Sequence, residues 1–106
     1  MKTLNLTLKK KWFDMILSGQ KKEEYRVANR YWTKIFCKSI HKGVCELQHR
    51  HYIIFKNGHS KKAPQVLVEC NKTLVGYKGK KKWGFPDNVI CFTLKLGDII
   101  ATKNIK

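Results

Sequence analysis

The chain opens on strict alternation. Leu4, Leu6 and Leu8 fall on one side and Thr3, Asn5 and Thr7 on the other, the period of a half-buried strand. From Lys9 to Ser18 the period lengthens: Trp12, Phe13, Ile16 and Leu17 recur at helical spacing, and Gly19 supplies a C-terminal stop. Lys21 to Arg26 predicts a polar strand. A second helix follows where Tyr31, Trp32, Ile35 and Phe36 repeat the spacing of the first, with room to continue to Ile40.

Further strands are predicted at His51 to Phe55, Gln65 to Cys70, Val89 to Leu94 and Asp98 to Ala101. Asn57-Gly58 is a favoured pair for a tight hairpin, and Gly97-Asp98 is expected to turn between the last two strands. His41 to Arg50 and Asn71 to Asn88 resist packing and are expected as loops, and the polar tail from Thr102 to Lys106 as a frayed end. The sum is one small α+β domain spanning residues 1–106: a β-barrel of about five or six strands with two short flanking helices.

Charge changes the picture most. Lys and Arg number 23 against seven Asp and Glu, a formal net charge of +16 in 106 residues. Such an excess repels itself in the compact state and suits a polyanionic partner. The longest uncharged apolar runs, such as Tyr52-Ile53-Ile54-Phe55, fall far short of the roughly 20 residues of a membrane span. The segment MKTLNLTLKK has no apolar h-region, so no signal peptide is expected and the protein reads as cytoplasmic. Cys37, Cys45, Cys70 and Cys91 are then expected as four free thiols, with Cys70 and Cys91 acting as small buried hydrophobes.

Lys21, Glu24 and Arg26 form the leading constellation. Glu24 and Arg26 share a strand face, and Lys21, beside the Gly19 turn, can swing toward either. Together they are equipped to read a base edge or clamp a phosphate, with Glu24 accepting from an exocyclic amine. Tyr31 and Trp32 have core spacing, though one could border a cleft and stack on a base; Tyr25 falls on the opposite face from Arg26 and reads as core. Lys9, Lys10 and Lys11 oppose the dipole of the first helix, as an anion site would require or three solvated side chains would tolerate. Lys80, Lys81 and Lys82 precede Trp83 in a glycine-punctuated loop suited to phosphates and stacking. Cys37, His41, Cys45 and His49 recur every four residues, but the spacing fits no usual zinc pattern; neither a metal nor a cofactor is expected.

The segment LSGQKKEEYR, from Leu17 to Arg26, resembles the signature of the ASCH domain family within the PUA-like superfamily. Tyr31-Trp32, the Phe55-Lys56-Asn57-Gly58 turn, the Trp83-Gly84 loop and the closing Leu96-Gly97-Asp98-Ile99-Ile100 resemble it in order and spacing. The resemblance implies a PUA-like barrel whose cleft holds RNA or a modified nucleobase. Some members are amidohydrolases that deacetylate N4-acetylcytidine with a Lys, a Thr and a Glu. Lys21 matches the Lys, but Glu24 stands at the Thr position and Val75 to Val89 contains no Glu. An RNA- or nucleotide-binding monomer is therefore expected. The alternatives are an enzyme on RNA or a modified nucleoside with Lys21 at its centre, and a basic module docking on an acidic protein.

Overall fold

The computed structural model describes residues 3–105; Met1 and Lys2 of the opening segment and Lys106 of the tail lie outside them. Strand β1 (Thr3–Leu8) buries Leu4, Leu6 and Leu8 as their alternation predicts. Helix α1 (Lys10–Leu17) buries Phe13 and Ile16, and Gly19, at φ 84°, turns the chain back so that the Lys21 N–H donates to the Met15 carbonyl. Strand β2 (Glu23–Val27) follows, then α2 (Arg30–Phe36), whose first turn is capped by the Asn29 side chain accepting from the Trp32 N–H at 2.9 Å.

Beyond Phe36 the structure departs from the sequence reading. The second helix does not reach Ile40. Cys37–His41 is strand β3, and Val44–Leu47, expected as loop, pairs with it as β4. Lys42 and Gly43 connect them with φ of 51° and 79°, both left-handed as a type I′ turn requires. No sequence signal marks the turn because Lys replaces the usual Asn or Asp, and because the exposed β3 and the four-residue β4 carry too little apolar alternation. Cys37 is opposite Leu47 and Cys45 opposite Ile40, and the register shift after Cys37 brings the two cysteines close enough to form a disulfide, with Cα atoms 5.5 Å apart. The expectation of four thiols is thereby corrected to two, Cys70 and Cys91, both buried.

The remaining strands are longer than predicted. Strand β5 (Tyr52–Asn57) is joined to β6 (Gln65–Gly76) by a seven-residue loop, not by a two-residue turn at Asn57-Gly58. Strand β6 runs through Asn71–Val75, and β7 (Cys91–Lys103) continues through Gly97-Asp98, at a register shift, without turning back. Thr102 and Lys103, expected to fray, pair with Val66 and Gln65. At Gly97 a Cβ would lie 2.7 Å from the end of the exposed Asn71 side chain.

Five strands form one sheet in the order β1-β5-β6-β7-β2, antiparallel except for the parallel β1–β5 pair. The β6–β7 register slips at three places between Leu67 and Lys72. Bulges bend a sheet, and here one half of β6 pairs with the end of β7 while the other pairs with its start, beside β2. The result is a curled half-barrel with two helices. Its concave side is filled by Phe13, Phe36, Ile53, Phe55, Val66 and Phe92, each burial contributing roughly 1.5–3 kcal/mol. Curling brings β1 and β2, the outermost strands, toward one another, and the cleft lies between them.

Candidate functional site

The cleft has a volume of about 540 Å³, within the roughly 300–1,000 Å³ of small-molecule sites. Its floor is an ion triad. Glu24 sits between Lys21 and Arg26: Lys21 Nζ donates to Oε1, Arg26 Nη1 donates to Oε2 at 2.6 Å, and the Tyr25 N–H donates to Oε1 at 3.1 Å. Lys21 and Glu24 are only 2% and 3% exposed. Two buried charges persist in such a place only when paired and hydrogen-bonded, as these are. Strand alternation puts Glu24 and Arg26 on one face, and the Gly19 turn brings Lys21 to meet them, as their spacing predicts.

Arg26 does more. Nη1 also donates to the Tyr25 carbonyl at 2.8 Å, and Nη2 crosses the cleft to the Thr7 carbonyl of β1 at 3.3 Å. Its guanidinium lies 5.2 Å from the Trp32 ring centroid, and Lys21 Nζ lies 5.3 Å from that of Trp12. Both cations thus rest against aromatic rings, an arrangement that strengthens when water is excluded.

Most of the predicted site residues meet at this cleft. Lys21, Glu24, Arg26, Tyr31, Trp32, Lys9 and Trp83 line it. Lys10 pairs with Asp14 at 2.6 Å, and Lys11 Nζ lies over the Trp12 ring, 4.7 Å from its centroid. Lys80 and Lys82 flank the Trp83 ring at 4.9 and 4.6 Å, while Lys81 pairs with Asp87. Tyr31, read chiefly as core, is 64% exposed and stands edge-on to Trp32, which itself packs on Phe36.

Three aromatic residues of the walls were not predicted there. Trp12 has core spacing in α1, yet its ring forms a cleft wall because the Gly84 backbone packs directly on it. Tyr25 is buried, as alternation predicts, but against Phe85 at 5.7 Å and on the cleft wall. Phe85 arrives with the 77–90 connection, whose path no local pattern specifies. Behind the wall, the Tyr25 hydroxyl donates to Glu23 at 2.7 Å, and Lys95 donates to the same carboxylate at 2.8 Å. Burial, then the Glu23 hydrogen bond and charge, push the Tyr25 phenol far above its usual value, so it stays a donor. Burial alone would raise Glu23, but Lys95, Tyr25 and Lys80 together outweigh it and hold the carboxyl below its usual value.

The Cys and His ladder does not converge. Cys37 and Cys45 are spent on their disulfide, and His49 Nδ1 is hydrogen-bonded to Thr73 Oγ1 at 2.9 Å. No cluster of three metal-ligating side chains occurs among the described residues, and no helix among them is long and apolar enough to cross a membrane. The chain matches no protein-family model, no curated protein and no solved structure.

Proposed function

We propose that this protein binds RNA or a nucleotide-like ligand, the cleft receiving a nucleobase and the lysine-rich rim engaging phosphates, and that it acts as a cytoplasmic monomer of the ASCH, PUA-like type. One observation carries the reading. A floor of buried Lys21 and Glu24 with the partly exposed Arg26, able to hydrogen-bond a planar edge, lies between Trp12, Trp32 and Trp83 in a cleft bordered by Lys9. Lys80 and Lys82 gather at the Trp83 edge of that cleft. The net charge of +16 supports a polyanion, and the resemblance of LSGQKKEEYR and the Trp83-Gly84 loop to the ASCH signature supports the same ligand class. Binding is favoured over deacetylation because Lys21 is already paired with the carboxylate that stands where the amidohydrolases carry a threonine nucleophile.

Titration of a short single-stranded RNA over a range of salt tests this. The affinity should fall linearly on log–log axes, and replacing Lys80, Lys81 and Lys82 by Ala should flatten the slope by roughly 2, at about 0.7 per phosphate contact. Free nucleoside should compete for the cleft. Binding that no nucleoside displaces would leave only a basic patch for an acidic partner.

A further inference from the structure

The hydrogen-bonding capacity of the cleft floor can be counted group by group. A carboxylate offers about four acceptor sites, and Lys21 Nζ, the Tyr25 N–H and Arg26 Nη1 take three of them on Glu24. Oε1 is thus filled twice, and the remaining acceptor is on Oε2, beside Arg26. Both Nη1 hydrogens of Arg26 are committed, to Glu24 and to the Tyr25 carbonyl, while Nη2 uses one on Thr7. Among the described residues nothing further holds the second Nη2 hydrogen, and Lys21 Nζ retains two of its three hydrogens after its bond to Glu24. Both cationic partners of the Glu24 carboxylate therefore keep free donors, and the carboxylate keeps one open acceptor. Lys21, Glu24 Oε2 and Arg26 thus offer a donor, an acceptor and a donor.

This set disagrees with the expectation that Glu24 accepts from an exocyclic amine. An amine beside a ring acceptor, as in cytosine or adenine, would set its own acceptors against Oε2 or its own donors against Lys21 or Arg26. Leaving such groups unpaired in a dry site is costly. The complement of donor–acceptor–donor is a ring N–H flanked by two carbonyls. We infer that the cleft selects an imide edge of the uracil type, the carbonyls taking Lys21 and Arg26 and the N–H donating to Glu24 Oε2. The inference rests on the nucleobase reading of the cleft given above. The rings of Trp12 and Trp32 lie 5.3 and 5.2 Å from the two cations and border the same floor.

The test is a fluorescence titration of the wild-type protein, at one salt concentration, with uridine, 3-methyluridine, cytidine, adenosine and a hexauridylate. Uridine should bind about tenfold or more tightly than cytidine or adenosine. Methylation at the imide nitrogen should cost at least as much, because it removes the one proton that Oε2 can accept. Glu24→Gln supplies a second readout: its amide nitrogen turned toward the ligand replaces the open acceptor by a donor, so the preference for uridine over cytidine should shrink, provided the variant melts cooperatively. Cytidine binding as well as uridine, or 3-methyluridine binding unimpaired, would overturn the imide edge while leaving a nucleobase cleft intact. Failure of every nucleoside and of the hexauridylate would remove both readings. Binding of the hexauridylate much tighter than uridine, with the imide preference retained, would identify a uracil within a strand as the source.

Discussion

Arg26 and Thr7 join the two outermost strands of the sheet: Nη2 of the guanidinium donates to the Thr7 carbonyl over 3.3 Å, across the mouth of the half-barrel. The same side chain reaches Glu24 Oε2 and the Tyr25 carbonyl, so one planar fork ties β1, β2 and the cleft floor. Arg26→Lys keeps the charge but has a single nitrogen to place. It should cost about 1–3 kcal/mol in urea unfolding, with an unchanged slope. Arg26→Ala, which leaves Glu24 with Lys21 alone, should cost more. A midpoint unmoved in both variants would mean that the bridge contributes nothing.

Under denaturing, non-reducing conditions, thiol titration should find two reactive groups, Cys70 and Cys91. Reduction should expose two more. The Cys37–Cys45 bridge closes a short loop with a sequence separation of 8, for which chain entropy allows a stabilisation of roughly 2–3 kcal/mol. Cys37→Ser with Cys45→Ser should lower stability by up to that amount, and proteolysis should reveal the opened hairpin first. Four thiols without reductant would contradict the bridge.

The elements legible in the sequence are those with one buried and one solvated side. Leu4, Leu6 and Leu8 and the Phe13–Ile16 face of α1 announce themselves by period, whereas β2, which buries Glu23, Glu24 and Tyr25 in succession, reads only as a polar strand after the Gly19 turn. What failed to show had a different cause each time. In the β3–β4 hairpin β3 is almost wholly exposed and β4 offers only Cys45 and Leu47 to the core, too few for an alternation to mark it. The continuity of β7 is masked by Gly97-Asp98, which reads as a turn but lies at a register shift within the strand. Strand β6 was cut short because Asn71 and Lys72 look like loop where a bulged strand faces solvent. Trp12 and Phe85 became cleft residues only through the path of the 77–90 connection, which is tertiary information.

Acid should find the Glu23 cluster. Glu23 is held below its ordinary value of 4.5 when folded, although burial opposes this, through Lys95, Tyr25 and Lys80. A carboxyl whose folded value is depressed stabilises the protein above the unfolded value, and that contribution is lost as pH falls through the folded one. Stability should therefore drop as pH is lowered below about 4.5. Lys95→Met removes one of the lowering partners, so its own urea midpoint should fall less between about pH 7 and pH 3 than that of the wild type. An equal fall in both proteins would show that Lys95 does not hold the Glu23 proton affinity.

Gly84 sets the width of the cleft, and a pair of alanine substitutions isolates how. A Cβ at Gly84 would lie 2.5, 2.8 and 3.0 Å from three atoms of the Trp12 ring, and the residue has a φ of 87°. Trp12 cannot easily retreat, since Lys21 Nζ sits 5.3 Å from its ring centroid and is itself bound to Glu24. The strain must then move the loop, carrying Trp83 and Phe85 away from the opposite wall. Gly43, at φ 79°, has nothing within 4 Å of its would-be Cβ and is far from the cleft in sequence and topology. Both Gly84→Ala and Gly43→Ala incur the left-handed backbone penalty of roughly 1–2 kcal/mol. Gly84→Ala should lose a further 1–3 kcal/mol or so from overpacking, shift the tryptophan emission and weaken nucleoside binding. Gly43→Ala should show the backbone loss alone, with binding unchanged. Equal stabilities in the two variants, together with wild-type binding in Gly84→Ala, would mean that the loop yields without disturbing Trp12 and that the cleft wall is not held by this contact.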